Sequence, residues 1–230
     1  MSETNPRDEI FAHIRAGLKR GALDDATRKR LALRLDDPPS GTVPKRGQGD
    51  LDHRVRTFIA QAERVHTSIA RVAEEGDAPA AVQGALKSRG FPLNLRAARD
   101  PLVARLDWSR APGLALAQGP AGSTDRASLV GAFAGIAETG TLLLYSAPET
   151  PSSLNFAPEM HIVLLKAARI LASYEEAFDA LKAARPGGNV RLPRTVNLIT
   201  GPSRTADVER TLTLGAHGPR FLHVIVIDAD

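Results

Sequence analysis

The sequence predicts an α/β fold: a three-layer, mainly parallel sheet carried behind an N-terminal helical extension. Three observations point to it. From about residue 91 onward, short apolar runs without polar alternation, such as TLLLY at 141–145 and IVLL at 162–165, read as strands buried on both faces. Helix-type patterns separate these runs, which is the arrangement that places crossover helices on the faces of a parallel sheet. Before residue 90 the apolar residues recur three and four apart instead.

The elements follow in order. Asn5 and Pro6 open a helix, a capping side chain followed by proline in the first turn, with Ile10, Phe11, Ile14 and Leu18 as its apolar stripe. Asp24 and Asp25 start a second short helix that runs to about Leu35. The segment 37–50, DPPSGTVPKRGQGD, reads as a linker. The longest helical pattern covers 51–75, and another covers 79–88 before Gly90. His66 lies beside the stripe of the long pattern and is read as structural. We therefore place a helical segment packing on the core at 1–90 and the α/β domain at 91–230. In the second part, strands are expected at 114–117, within 128–136, and at 141–145, 162–165, 196–199 and 221–227. A helix capped by Ser173 covers 174–184.

Composition narrows the function. The 230 residues are 43% hydrophobic but only 4% aromatic, so the core must be built from Ala, Leu, Val and Ile. Basic residues number 16 against 13 acidic up to Gly90, and 14 against 13 beyond it. Neither part carries the basic footprint of a nucleic-acid binder. No apolar stretch approaches the roughly 20 residues that span a bilayer, and the N-terminus lacks the apolar core of a signal peptide. A cytoplasmic protein with no membrane contact is the expectation. The absence of cysteine removes disulfides, thiolate nucleophiles and cysteine-held zinc or iron–sulfur clusters from this chain. No dinucleotide or P-loop fingerprint occurs, so no cofactor and no metal are assigned.

Two polar stretches stand out. TGPSRTADVERTLTLGAHGP, 200–219, lies between two apolar runs and holds glycines near both ends. Ser203 or Thr205 is positioned to cap a short following helix, with Asp207 near its start. Gly201, Ser203, Arg204, Thr205, Asp207, His217 and Gly218 form one candidate set for a small carboxylate or phosphate-bearing ligand: backbone N–H groups converge where no side chain intrudes, and Arg204 offers a planar two-pronged contact. The alternative is that the glycines only permit tight turns, Arg204 pairs with a nearby acid and His217 is a surface residue. The second stretch is GIAETGTL, 135–142. Here Glu138 is the candidate catalytic carboxylate, with Thr139, Gly140 and Thr141 beside it as ligand contacts, because a partly desolvated carboxylate suits general acid or base work. Alternatively Glu138 accepts N–H bonds in a turn or pairs with an arginine. The two stretches are expected to face each other across one crevice at the carboxyl ends of adjacent strands.

Taken together, AETGTL at 137–142, MHIVL at 160–164, ITGPSRTADVE at 199–209 and GAHGP at 215–219 resemble the LUD-domain family, specifically its lactate utilization protein C members. The resemblance runs from about Asp107 to Asp228. It implies a fold of the NagB/RpiA/CoA-transferase type with the helical extension. It also implies a non-redox role in a cytoplasmic system that oxidises L-lactate to pyruvate, beside two iron–sulfur proteins that carry the electrons. The fold leaves a second class open, a free-standing CoA-transferase-like enzyme acting on a phosphorylated or CoA-linked carboxylate through Glu138. A third is a scaffold or regulator without a small-molecule site.

Overall fold

The computed structural model describes residues 5–19, 21–36, 41–184, 193–206 and 212–229. It divides into two compact units, Met1–Thr42 and Val43–Asp230. In the first unit, Asn5 caps α1 (Pro6–Gly17), its Oδ1 accepting from Arg7 N at 3.0 Å. The stripe Ile10, Phe11, Ile14 and Leu18 is exposed. Asp24 opens α2 (Asp25–Asp36), accepting from the N–H and hydroxyl of Thr27 at 2.7 and 2.9 Å.

In the second unit Asp50 starts α3 (Leu51–Arg64) by accepting from His53 N at 2.7 Å, and the helix buries Val55, Phe58 and Ala62. The helix expected over 51–75 stops at Arg64. His66 turns the chain with a φ of 66°, and Ser68–Val72 form a strand, β1. Val65, Ile69 and Val72 continue the spacing of the helix by coincidence. In the fold they alternate: Ile69 packs on one face of the sheet, Ala70 and Val72 on the other.

The remaining elements are α4 (Ala78–Ser88), β2 (Asn94–Ala97), α5 (Pro101–Ala104), β3 (Ala115–Gln118), β4 (Ala127–Gly131), β5 (Ala134–Ile136), β6 (Thr141–Tyr145), α6 (Ser153–Phe156), β7 (Met160–Lys166), β8 (Ile170–Leu171), α7 (Tyr174–Ala183), β9 (Val196–Ile199), β10 (Arg204–Ala206), β11 (Leu212–Leu214) and β12 (Phe221–Ile227). A six-stranded sheet, ordered β1-β12-β7-β4-β2-β3, is parallel at every pairing. Its central strand β7 is buried from Met160 to Leu165, as its unbroken apolar run requires. This is the α/β class with a mainly parallel sheet. Outside it lies a second sheet, ordered β8-β5-β6-β9, in which β6 is antiparallel to both neighbours.

The core forms in three places. Val82 and Leu86 of α4 pack with Leu129, Ile162 and Ile225 on one face of the large sheet. On its other face Val163, Leu165 and Val224 meet Val55, Phe58 and Ala62 of α3 together with Leu142 and Leu144 of the small sheet. Ala177 and Leu181 of α7 cover the back of the small sheet at Ala134, Ile136 and Leu143. Among the described residues no helix is long and apolar enough to cross a membrane.

Candidate functional site

The two polar stretches owe their positions to two glycines. Gly140, in the turn from β5 to β6, has a φ of 66°, and a Cβ there would lie 2.3 Å from Ala62 N. Gly201, just after β9, has a φ of 78°, and its Cβ would lie 2.5 Å from Val65 O. Both loops therefore press backbone against the carboxyl end of α3, a contact that only glycine allows. A chain of hydroxyls ties them together. Thr141 Oγ1 lies 2.7 Å from Thr200 Oγ1 and 2.7 Å from Thr139 Oγ1, and both Thr139 and Thr141 contact the Tyr174 hydroxyl, at 3.1 and 3.0 Å.

Glu138 is 3% exposed. Its Oε1 accepts from Tyr174 N at 3.2 Å, while Ser173 Oγ accepts from Glu176 N at 3.3 Å, so two side chains serve the amino end of α7. Glu138 Oε2 is buried with no hydrogen-bond partner among the described residues. The 45–47 turn lies against the same peptide: a Cβ on Gly47 would come within 3.0 Å of Glu138 N. Glu138, Thr139, Gly140 and Thr141 thus form a packed junction of β6, β9 and α7.

An open cavity of about 230 Å³ lies on the other side of the Thr200 junction. Thr200, Gly201, Pro202 and Ser203 form one wall, and His217, Gly218 and Pro219 another. Ser203 N donates to Pro219 O and Gly215 N to Ser203 O, both at 2.9 Å, which clamps the two walls. His217 is exposed at the edge, and Gly218 packs against the Ser203 side chain. The helix expected after Ser203 is a strand instead: Arg204–Ala206 pair with Leu212–Leu214 as a hairpin. Antiparallel pairing with Leu212–Leu214 overrides the local capping signal. Arg204 and Thr205 follow the wall residue Ser203 but do not line the cavity; Arg204 is exposed and makes no ion pair among the described residues, and Thr205 is half-buried. Asp207 lies outside the described residues. Among the described residues, no hydrogen bond or ion pair joins Arg204 to Glu138. The cavity also sits at the amino ends of β7 and β12, because β9, whose carboxyl end it adjoins, belongs to the small sheet.

The structure adds residues that sequence reasoning passed over. His161, the second residue of β7, lines this cavity with no exposed surface, and neither ring nitrogen has a partner among the described residues. Burial pushes its pKa down to about 3, so the ring is a neutral imidazole with one donor and one acceptor. Asn155, 4% exposed in α6, reaches the same cavity. The available signal was a lone histidine in an otherwise unbroken apolar strand. Among the described residues no group of three or more His, Asp or Glu could hold a metal ion.

Residues 55–227 match the family model of the LUD domain. The chain belongs to the LUD-domain family. Among curated proteins this LUD protein is similar to uncharacterized protein NMB1437 of Neisseria meningitidis, 41% identical over 104 residues, which are 45% of this chain and 43% of that one. It is 35% identical over 95 residues to uncharacterized protein YkgG of Escherichia coli, covering 41% of each chain. Over 94 residues it is 33% identical to lactate utilization protein C of Bacillus subtilis, covering 40% of this chain and 39% of that one. The matched segments thus span about two fifths of these relatives. A crystal structure of a DUF162 family protein from Deinococcus radiodurans superposes with a TM-score of 0.56 at 19% identity, covering 78% of this chain and 99% of that chain, which is a likeness of fold.

Proposed function

We propose that this LUD protein is a non-redox component of a cytoplasmic L-lactate utilization system and holds a small carboxylate in the cavity beside Thr200. Relatives named lactate utilization protein C, 31–34% identical over the matched segments, supply the metabolic context. The observation that carries the site is His161: a fully buried imidazole, unpartnered among the described residues, on the wall of a cavity of about 230 Å³, which has room for a three-carbon acid. A buried polar group without a protein partner costs stability, which a ligand's oxygen would offset. This reading requires the cavity wall to part enough to uncover the His161 ring, which has no exposed surface; one ring nitrogen then donates to a ligand oxygen and the other accepts from an α-hydroxyl. Ser203, Asn155 and the Gly201 and Gly218 backbone shape the remaining contacts, with Arg204 and His217 at the rim. Thr139 and Thr141 act through the hydroxyl chain that fixes Thr200, and Gly140 by letting their turn close against α3. The chain has no cysteine, so thiolate-held iron–sulfur centres fall to two partner proteins.

The test is calorimetric titration of L-lactate and pyruvate into the purified chain. His161→Ala and Ser203→Ala should each weaken binding, and Arg204→Ala should cost about 1.5–3 kcal/mol, the usual worth of a hydrogen bond to a charged group. Equal affinity in all three variants, or no saturable binding to the wild type, defeats the site. A second reading rests on the buried, unpartnered Glu138 Oε2: a free-standing enzyme of CoA-transferase type with that oxygen as nucleophile or base. It needs Glu138 to be uncovered, since the carboxylate lies under α7 and away from the cavity. Co-elution with the two iron–sulfur proteins in size-exclusion chromatography favours the component over the free-standing enzyme.

A further inference from the structure

We propose that the crevice at the carboxyl ends of β2 and β4 is a second ligand site, built for an organic phosphate with an aromatic or apolar body. The sheet topology marks the place. From β2 the chain next enters the large sheet at β3, on its outer side; from β4 it next enters at β7, on the opposite side. Where neighbouring parallel strands send their chains apart in this way, the loops above them diverge and leave a crevice that open α/β sheets use for ligands. A cavity of about 420 Å³ lies there, between Asp100 and Pro101 after β2, Gly131 to Phe133 at the end of β4, and Lys166 at the end of β7.

The crevice is held open from below. Asp100 Oδ1 accepts from Leu102 N and Val103 N at 3.0 and 3.1 Å, and Oδ2 accepts from Gly131 N at 2.9 Å. A Cβ on Gly131 would lie 2.7 Å from Asp100 Oδ1, so the strand end must be glycine for the carboxylate to reach across. Both oxygens of Asp100 are engaged by backbone N–H groups, and the wall also carries three cationic side chains, Arg105, Lys166 and Arg169. Glu75, which is not part of the lining, pairs with both Arg105 and Lys166 and fixes those two heads. Arg169 has no ion pair among the described residues, and its guanidinium carbon lies 5.6 Å from the centre of the Phe133 ring.

The remaining wall is apolar. Phe133 and Tyr145 meet edge to face at 5.7 Å, beside Leu144 and Val130. Guanidinium above and aromatic edges beside suit a phosphate carried on a flat body. The volume falls in the roughly 300–1,000 Å³ range of sites for drug-sized ligands, well above what a three-carbon acid fills. Asn155 lines this cavity as well as the smaller one, so the two sites adjoin across a single side chain.

The test uses the full chain with adenosine 5′-monophosphate as probe, followed by calorimetry. Saturable binding is expected, with inorganic phosphate and adenosine alone each at least about tenfold weaker, because each supplies only one of the two matched features. Arg169→Ala, at an exposed position, should weaken the probe at least about tenfold with an unchanged melting temperature, the loss of one charge-assisted contact. Ala132→Leu, which fills the cavity and keeps its charges, should weaken it as much. No saturable binding of the probe, or affinity unchanged in both variants, overturns the proposal. The lactate reading stands or falls separately, on titrations that read the other cavity.

Discussion

Acidification should destabilise this protein well above the pH at which its carboxylates titrate, and one histidine should account for about half of the loss. Burial lowers the pKa of His161 to about 3. Burial, with help from the Arg89 charge, lowers that of His223 to about 4. In the unfolded chain both return to about 6.5. The unfolded state therefore binds more protons than the native state between these limits. Stability is fully present above about pH 6.5 and falls as the pH drops towards the folded values. Between about pH 7 and pH 5, protonation of one free imidazole favours the unfolded state by about 2 kcal/mol, so the two together give roughly 3–4 kcal/mol. That is a large share of a typical domain's stability. Urea unfolding followed by far-ultraviolet circular dichroism across this range measures it. His161→Gln removes one titrating group; whatever its effect at neutral pH, the difference between the two pH values should shrink by about 2 kcal/mol. If the variant keeps the wild-type pH dependence to within about 0.5 kcal/mol, His161 does not stay neutral in the fold and the account of the cavity wall is wrong.

Three further outcomes follow from the same geometry. With His161 held neutral, one ring nitrogen donating and the other accepting, L-lactate binding should take up no protons at that ring and keep its affinity between about pH 7 and 6; titrations in buffers of different ionisation enthalpy read this directly. Gly201→Ala forces a side chain into a left-handed backbone and against Val65 O, and should cost at least about 1–3 kcal/mol, seen as a lowered melting temperature. The purified chain should be colourless and fail to reduce a dye with L-lactate; a flavin or iron spectrum would remove the accessory role.

Much of the fold was legible because its strands obey a local rule. A strand with neighbours on both sides and cores on both faces must be apolar throughout, so TLLLY and the run after Met160 announced themselves. What was not legible was which strands pair. β6 and β9 carry the same texture as β7 and β12, yet they leave the large sheet, because Leu142 and Leu144 face it as a second layer rather than joining its edge. Pairing is decided across long sequence separations, where no local pattern speaks. Even at short range pairing can prevail: Arg204 to Ala206 became a strand through Leu212–Leu214, although the capping signal favoured a helix start.

The site divides along the same line. Sequence alone determined that Gly140 and Gly201 punctuate polar turns between apolar strands, that this chain carries no cysteine, and that a carboxylate sits among apolar neighbours at Glu138. Tertiary structure decided what those features meet. It set both glycines against the end of α3, turned Glu138 towards the amino end of α7, and brought His161 out of an ordinary-looking strand to a cavity wall. The reason is physical: backbone conformation and burial tendency are properties of a residue and its near neighbours. Which polar atoms lack a partner depends on every segment that packs around them.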